Sequence, residues 1–197
     1  MTARQATVSR QTKETQIHLT LDLDGSGRVE AGTGIGFLDH MLDHLGKHSL
    51  CDLTVTATGD LEVDDHHTAE DVAICLGEAL RQALGDKAGI RRYGSARVPM
   101  EDALADVAVD LSGRAAVVYN VSFDGDKIGT FDTQLVEEVL RRLAATAGMN
   151  LHVTVPYGQN DHHIAEAIFK ALAQALRQAK QLDPDRRGDV PSTKGTL

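Results

Sequence analysis

FLDHMLDHLGKHSLCDLTVTATGDLEVDDHHTAEDVAICLGEAL, residues 37–80, and LVEEVLRRLAATAGMNLHVTVPYGQNDHHIAEAIFKALAQAL, residues 135–176, are two statements of one pattern. Each runs from an apolar-periodic helix through a short alternating strand and a polar turn to an Asp-His-His run that opens a second long helix. Self-similarity of this kind marks an internal duplication. Setting Leu53 against Leu151 fixes the alignment and places His40 opposite Glu138.

Outward from these blocks the periods supply the remaining elements. Ile17, Leu19, Leu21 and Leu23 alternate as a strand, and Asp24-Gly25-Ser26-Gly27 supplies a turn. Phe37, Leu38, Met41, Leu42 and Leu45 form one helical face, while His40, His44 and His48 recur every fourth residue on another. Leu53, Val55 and Ala57 alternate, and Val72, Leu76, Leu80 and Ala83 mark a helix. The second half has strand patterns at Ala96 and Val98, at Val107 to Leu111 and at Val117 to Val121. Helices over about 134–147 and 162–181 then flank the Leu151, Val153, Val155 strand.

The predicted class is α+β, an internally duplicated unit in which each half is a small β-sheet covered on one face by two α-helices. Residues 1–90 make the first repeat and 91–182 the second, within one compact subunit, with Gly85 to Tyr93 as the join. Residues 183–197, DPDRRGDVPSTKGTL, carry Pro, Gly and charge but no period, the composition of a frayed tail.

With 197 residues the chain can bury a substantial core. A formal net charge of −9 repels nucleic acid and anionic membrane, and 4% aromatics without Trp leave little for base stacking. No apolar run approaches the roughly 20 residues of a membrane helix. The start, MTARQATVSRQTKETQ, lacks the apolar core of a secretory signal. A cytoplasmic protein that binds neither nucleic acid nor membrane is expected, with Cys51 and Cys75 as reduced thiols.

The chemistry is concentrated in His-His-x-x-Glu, present as His66, His67, Glu70 and again as His162, His163, Glu166. On a helix the first His and the Glu share a face, while the second His points about 100° away, so one motif can serve two metal ions. Imidazole with carboxylate suits Mn, Fe or Zn, and the lack of Cys-x-x-Cys speaks against structural zinc. The same runs also suit helix capping by Asp65 and Asp161, a role compatible with metal binding. His44 reads as part of a solvated face, and His18 and His152, inside alternating strands, are set aside. A two-metal hydrolase of phosphate esters, or a metal-storing oligomer, would use similar ligands.

GIGFLDHMLDHLGKHS, DDHHTAEDVAICLGEAL, NDHHIAEAIFKALAQAL and the terminal PSTKG together resemble the imidazoleglycerol-phosphate dehydratase family over nearly the whole chain. The resemblance implies a fold of the ribosomal protein S5 domain 2-like kind and a 24-subunit homo-oligomer with active sites between subunits. It implies two Mn2+ per site, one held by His66, Glu70 and His163, the other by His40, His67, His162 and Glu166. Glu138 stands where many relatives place His, and its oxygen can still ligate manganese. The chain is too short for the phosphatase domain of bifunctional relatives.

The implied reaction is dehydration of D-erythro-imidazoleglycerol phosphate to imidazoleacetol phosphate in histidine biosynthesis. The proton removed is not adjacent to a carbonyl, so the substrate's own imidazole, bound by two metals as an imidazolate, would serve as the electron sink. The resemblance makes Glu14 the acid or base that moves the carbon-bound proton, with Glu70 and Glu166 also catalytic. The implied substrate-binding positions are Glu14, His40, His48, His66, Glu70 and His162, with Arg92, Arg114, Lys170, Ser192 and Lys194 as the anion-binding set. The tail then becomes a flap that closes on substrate.

Overall fold

The computed structural model describes residues 3–186 and 188–197. The first half runs β1 (Gln5–Gln11), β2 (Thr15–Asp22), β3 (Val29–Gly32), α1 (Gly36–Ser49), β4 (Asp52–Gly59) and α2 (His66–Leu84). The second runs β5 (Tyr93–Met100), β6 (Ala103–Asp110), β7 (Ala116–Asn120), the short hairpin β8 (Lys127–Ile128) and β9 (Phe131–Asp132), then α3 (Gln134–Ala147), β10 (Asn150–Tyr157) and α4 (Asp161–Ala179). The two sheets have the same plan, β1-β2-β4-β3 and β5-β6-β10-β7. In each the last strand is parallel to its neighbour and the other pairings are antiparallel. Leu21 faces Leu53 in one sheet as Val109 faces Leu151 in the other, so the duplication extends to strand register.

The alternation read from β2 is the alternation of burial: Ile17, Leu19 and Leu21 point inward, while Gln16 and His18 face out. Three features were not legible in advance. β1 buries only Ala6 and Val8, β3 is four residues long, and β8–β9 is an addition between β7 and α3 with no counterpart in the first half. Short strands with one or two inward residues leave almost no period to detect.

The helices lie between the sheets. α2 covers β1 and β2, and α4 covers β5 and β6, while α1 packs on α4 and α2 packs on α3. Each half therefore buries its helices against those of the other half, in one continuous apolar cluster. The outer sheet faces are polar, with Thr54, Thr56 and His18 on one and Ser95, Arg97 and His152 on the other. Cys51 and Cys75 are buried free thiols. Among the described residues no helix is long and apolar enough to cross a membrane.

The α2–α3 crossing closes on Gly77. A Cβ there would overlap Thr146 Oγ1 and come within 2.6 Å of the Leu143 carbonyl oxygen and 3.0 Å of the Ala147 amide nitrogen. Thr146 can rotate away, but the backbone of α3 cannot. Gly77→Ala is expected to destabilise by about 1–3 kcal/mol, a fall of roughly 3–10 °C in melting temperature, through overpacking. Gly36→Ala, where an added Cβ meets nothing within 4 Å, is the control. Calorimetry that finds the two variants equally stable would remove Gly77 from this role.

Candidate functional site

Helix α4 starts on Asn160, whose side-chain oxygen accepts the backbone N–H groups of His162 and His163 at 2.9 and 3.4 Å. The predicted cap Asp161 instead lies in the first turn, and its carboxylate accepts the N–H groups of Asp124 and Gly125 at 3.0 and 2.8 Å. Asp65 likewise makes no side-chain cap bond; Asp64 accepts from the His66 N–H at 2.8 Å. In both repeats the residue before the expected Asp accepts the His N–H, because it still has extended or turn geometry from which a carbonyl or carboxylate reaches back to the first turn.

One turn along α4, Glu166 gathers donors from both halves. His162 Nε2 lies 3.2 Å from Oε2 and His40 Nε2, from α1, 3.3 Å from the same oxygen. His44 Nε2 lies 3.3 Å from Oε1, and Lys170 Nζ 2.5 Å from it. The possible ligand atoms of His40, His162 and Glu166 all lie within 4.8 Å of one another. Two imidazoles and a carboxylate so arranged suit a divalent ion such as Mn2+. Phe37 closes one side, edge-on to His162 at 5.3 Å.

Burial pushes the Glu166 carboxyl up, but the Lys170 hydrogen bond and the charges of His44 and Lys170 outweigh it and bring the carboxyl down to about 2. His44 is thus a correction to the sequence reading: only 17% of its side chain is exposed, and burial lowers its basicity. Its place four residues after His40 was the available signal. His48 stacks on His44 at 5.7 Å, which completes the stripe, and burial lowers its basicity too.

The duplicate of this cluster lies between α2 and α3. His66 Nε2 is 4.0 Å from Glu70 Oε2, and Arg142 Nε is 2.9 Å from Glu70 Oε1 and 2.5 Å from Glu138 Oε1. Glu138 holds the place of His40, as the alignment predicts, and Arg142 holds the place of His44. The guanidinium bridges two carboxylates here: Glu138 is its i,i+4 partner on α3, while its reach to Glu70 on α2 is a contact no local sequence pattern announced.

His67 and His163 stand apart from both clusters, their rings turned by 83° and 80° from those of His66 and His162. His67 bonds to Asp60 at 3.0 Å and His163 to Asp102 at 2.5 Å. Glu14 is exposed in the turn before β2, where its carbonyl oxygen accepts the Asp60 N–H at 3.1 Å. The structure thus joins three of the four residues expected around one metal, but leaves His67 elsewhere in the chain. It joins His66 to Glu70 without His163.

A cationic cleft is lined by Arg92, Arg114, Ser192 and Lys194, four of the five predicted anion positions. Arg92 forks onto Asp110 at 2.6 and 3.0 Å and donates to the Pro191 carbonyl at 2.7 Å, which seats the tail. The Gly89 N–H donates to Asp189 O at 2.9 Å and buried Pro191 completes the anchorage, so the tail is docked rather than frayed. Arg92 abuts the C-terminal end of α4, donating its N–H to Ala179 O. Lys170 is not in this cleft; it is engaged by Glu166. At ~1.5 Å per residue, His162 and Ala179 are about 25 Å apart along α4, so the cleft and the His/Glu cluster lie at opposite ends of one helix.

The imidazoleglycerol-phosphate dehydratase family model matches residues 33–176. The chain is 60% identical over 195 residues to the imidazoleglycerol-phosphate dehydratase of Granulibacter bethesdensis, covering 98% of this chain and 99% of the relative. Its structure is similar to that of imidazoleglycerol-phosphate dehydratase from Staphylococcus aureus, with a TM-score of 0.83, 38% identity, and coverage of 91% of this chain and 99% of that one. It is also similar to IGPD from Pyrococcus furiosus in complex with (S)-C348, with a TM-score of 0.80, 38% identity and coverage of 96% and 100%.

Glu166 sits at about 2 in the fold against an ordinary 4.5, so without metal its ionised form stabilises the protein. That contribution is full above about 4.5 and is lost as pH falls toward about 2. Metal-free Glu166→Gln should melt below wild type at pH 6, with the gap narrowing between pH 5 and pH 3. A gap that stays constant across that window would show that Glu166 titrates normally.

Proposed function

This chain belongs to the imidazoleglycerol-phosphate dehydratase family, hydro-lyases of histidine biosynthesis, and on that premise we propose that it converts D-erythro-imidazoleglycerol phosphate to imidazoleacetol phosphate with two Mn2+ per site. The observation that carries this reading is the union, in one chain, of a duplicated His/Glu ligand cluster with a separate cleft of Arg and Lys. The substrate has the same two ends, an imidazole that binds metal and a phosphate that binds cations.

His40, His162 and Glu166 would hold one ion, joined by His67; His66, Glu70 and Glu138 would hold the other, joined by His163. When bound, the two ions supply Lewis acidity to the ring nitrogens, which makes the ring an electron sink for loss of the side-chain hydroxyl. The chain's own groups do the rest. Arg114, Lys194 and Ser192 take the phosphate, and Arg92 carries the tail to them. Glu14, exposed and adjoining the loop of Asp60, moves the carbon-bound proton.

A substrate whose ring and phosphate are a few bonds apart cannot span about 25 Å along α4. We therefore propose that the two ends of each site come from different copies of the chain, in a homo-oligomer of 24 subunits. The same arrangement would bring His67 and His163 to clusters they do not reach within one chain. Membership in a biosynthetic family fits a cytoplasmic enzyme.

The test is incubation with imidazoleglycerol phosphate and Mn2+. Ketone should form without release of inorganic phosphate; phosphate release would mark a hydrolase instead. Glu14→Gln should keep both metals and substrate affinity while turnover falls by roughly 10² to 10⁴. Near-normal turnover with both metals present excludes Glu14 as the proton-transfer group.

Lys194→Ala should raise the Michaelis constant by roughly 10-fold or more, the loss of a charge-assisted contact of about 1.5–3 kcal/mol, without lowering the melting temperature. An unchanged Michaelis constant removes Lys194 from the phosphate site.

A further inference from the structure

His67 and His163 are duplicates of one another, and each has its Nδ1 occupied. Nδ1 of His67 lies 3.0 and 3.2 Å from the two oxygens of Asp60, and Nδ1 of His163 lies 2.5 Å from Asp102 Oδ1. An ionised carboxylate only accepts, so the ring proton is on Nδ1 and the lone pair of the neutral ring is on Nε2. That tautomer, with the Nε2 lone pair available, is the one a metal takes.

The two acids are not duplicates. Asp102 occupies the turn between β5 and β6, and its place in the first half, the turn between β1 and β2, is held by Glu14. Asp60 comes from the loop between β4 and α2. Two carboxylates from non-equivalent positions thus reach the same atom of equivalent histidines, which duplication alone does not produce. Each acid is itself held: the second oxygen of Asp102 accepts the Gln159 and Asn160 N–H groups at 2.6 and 2.9 Å, and the Asp60 N–H donates to Glu14 O at 3.1 Å.

We propose that Asp60 and Asp102 are positioning residues for metal binding, each fixing the tautomer and direction of its histidine so that Nε2 faces Mn2+. In the second half the turn acid does this work; in the first half Asp60 has taken it over, which leaves the turn acid Glu14 free for proton transfer. The inference rests on the proposed reading of His67 and His163 as ligands.

Mn2+ binding to the full chain, followed by the electron paramagnetic resonance of free Mn2+, tests it. Asp102→Ala should weaken one Mn2+ by roughly 10- to 100-fold. Added to His163→Ala it should weaken binding little further, since the partner it orients is gone. Asp60→Ala and His67→Ala should behave the same way at the other ion, and Glu14→Gln should bind Mn2+ as wild type does. If Asp102→Ala does not fold, Asp102→Asn serves: one acceptor oxygen cannot satisfy the three N–H groups that now converge on the carboxylate. Unchanged Mn2+ affinity in both Asp variants, while the His variants lose metal, overturns this inference and leaves the ligand assignment standing. Penalties of Asp102→Ala and His163→Ala that simply add also overturn it. His variants that bind Mn2+ normally remove the ligand assignment, and this inference with it.

Discussion

Neither half of this chain can bury its helices alone, and the pairing of α1 with α4 and of α2 with α3 is the constraint from which the rest follows. A small sheet with two helices on one face leaves the helices' far sides apolar, and only a second copy of the same surface covers them. Gly77 lets α2 approach the α3 backbone. Because the pairing crosses the halves, each His/Glu cluster draws on both: His40 meets His162 and Glu166, and Arg142 joins Glu138 to Glu70. A duplication that folded as two separate units would place no cluster residue from one half beside those of the other.

The two clusters share positions but not electrostatics. Around Glu166 a buried carboxylate faces three histidines and Lys170, so imidazole nitrogens of the kind that can ligate a metal stand beside it. Around Glu70 the same geometry holds two carboxylates bridged by Arg142, a permanent cation. Glu138 stands where the other cluster has His40, and Arg142 balances the charge of the two acids. Symmetry of the backbone therefore coexists with asymmetry of charge.

The cationic cleft solves a different problem. In a chain with a net charge of −9 these cations are gathered locally, Lys194 of the tail beside Arg92 and Arg114. Arg92 is largely committed to Asp110 and to Pro191, so its contribution is to hold Ser192 and Lys194 opposite Arg114. Docking of the tail arises from backbone hydrogen bonds to Gly89 and from buried Pro191, not from any apolar period.

The doubled blocks made the duplication, the α+β class and the His/Glu motifs legible, because helix and strand periods are local and Leu53 aligns with Leu151 without ambiguity. Residue type and i,i+4 spacing were enough to pair His66 with Glu70 and His162 with Glu166, since one helix carries both members. Resemblance, not period, pointed to Arg92, Arg114, Ser192 and Lys194. What only the tertiary structure decided were contacts between different elements: His44 of α1 on Glu166 of α4 rather than in solvent, Arg142 of α3 on Glu70 of α2, and Asp60 and Asp102 on the histidines. His163 lies 61 residues beyond Asp102, with β6 to β10 and α3 between them, and Glu166 lies 126 residues beyond His40, across the join between halves. A period records which side of an element faces inward; it carries no record of which element lies opposite, and that was settled by how two half-buried helix layers close on each other.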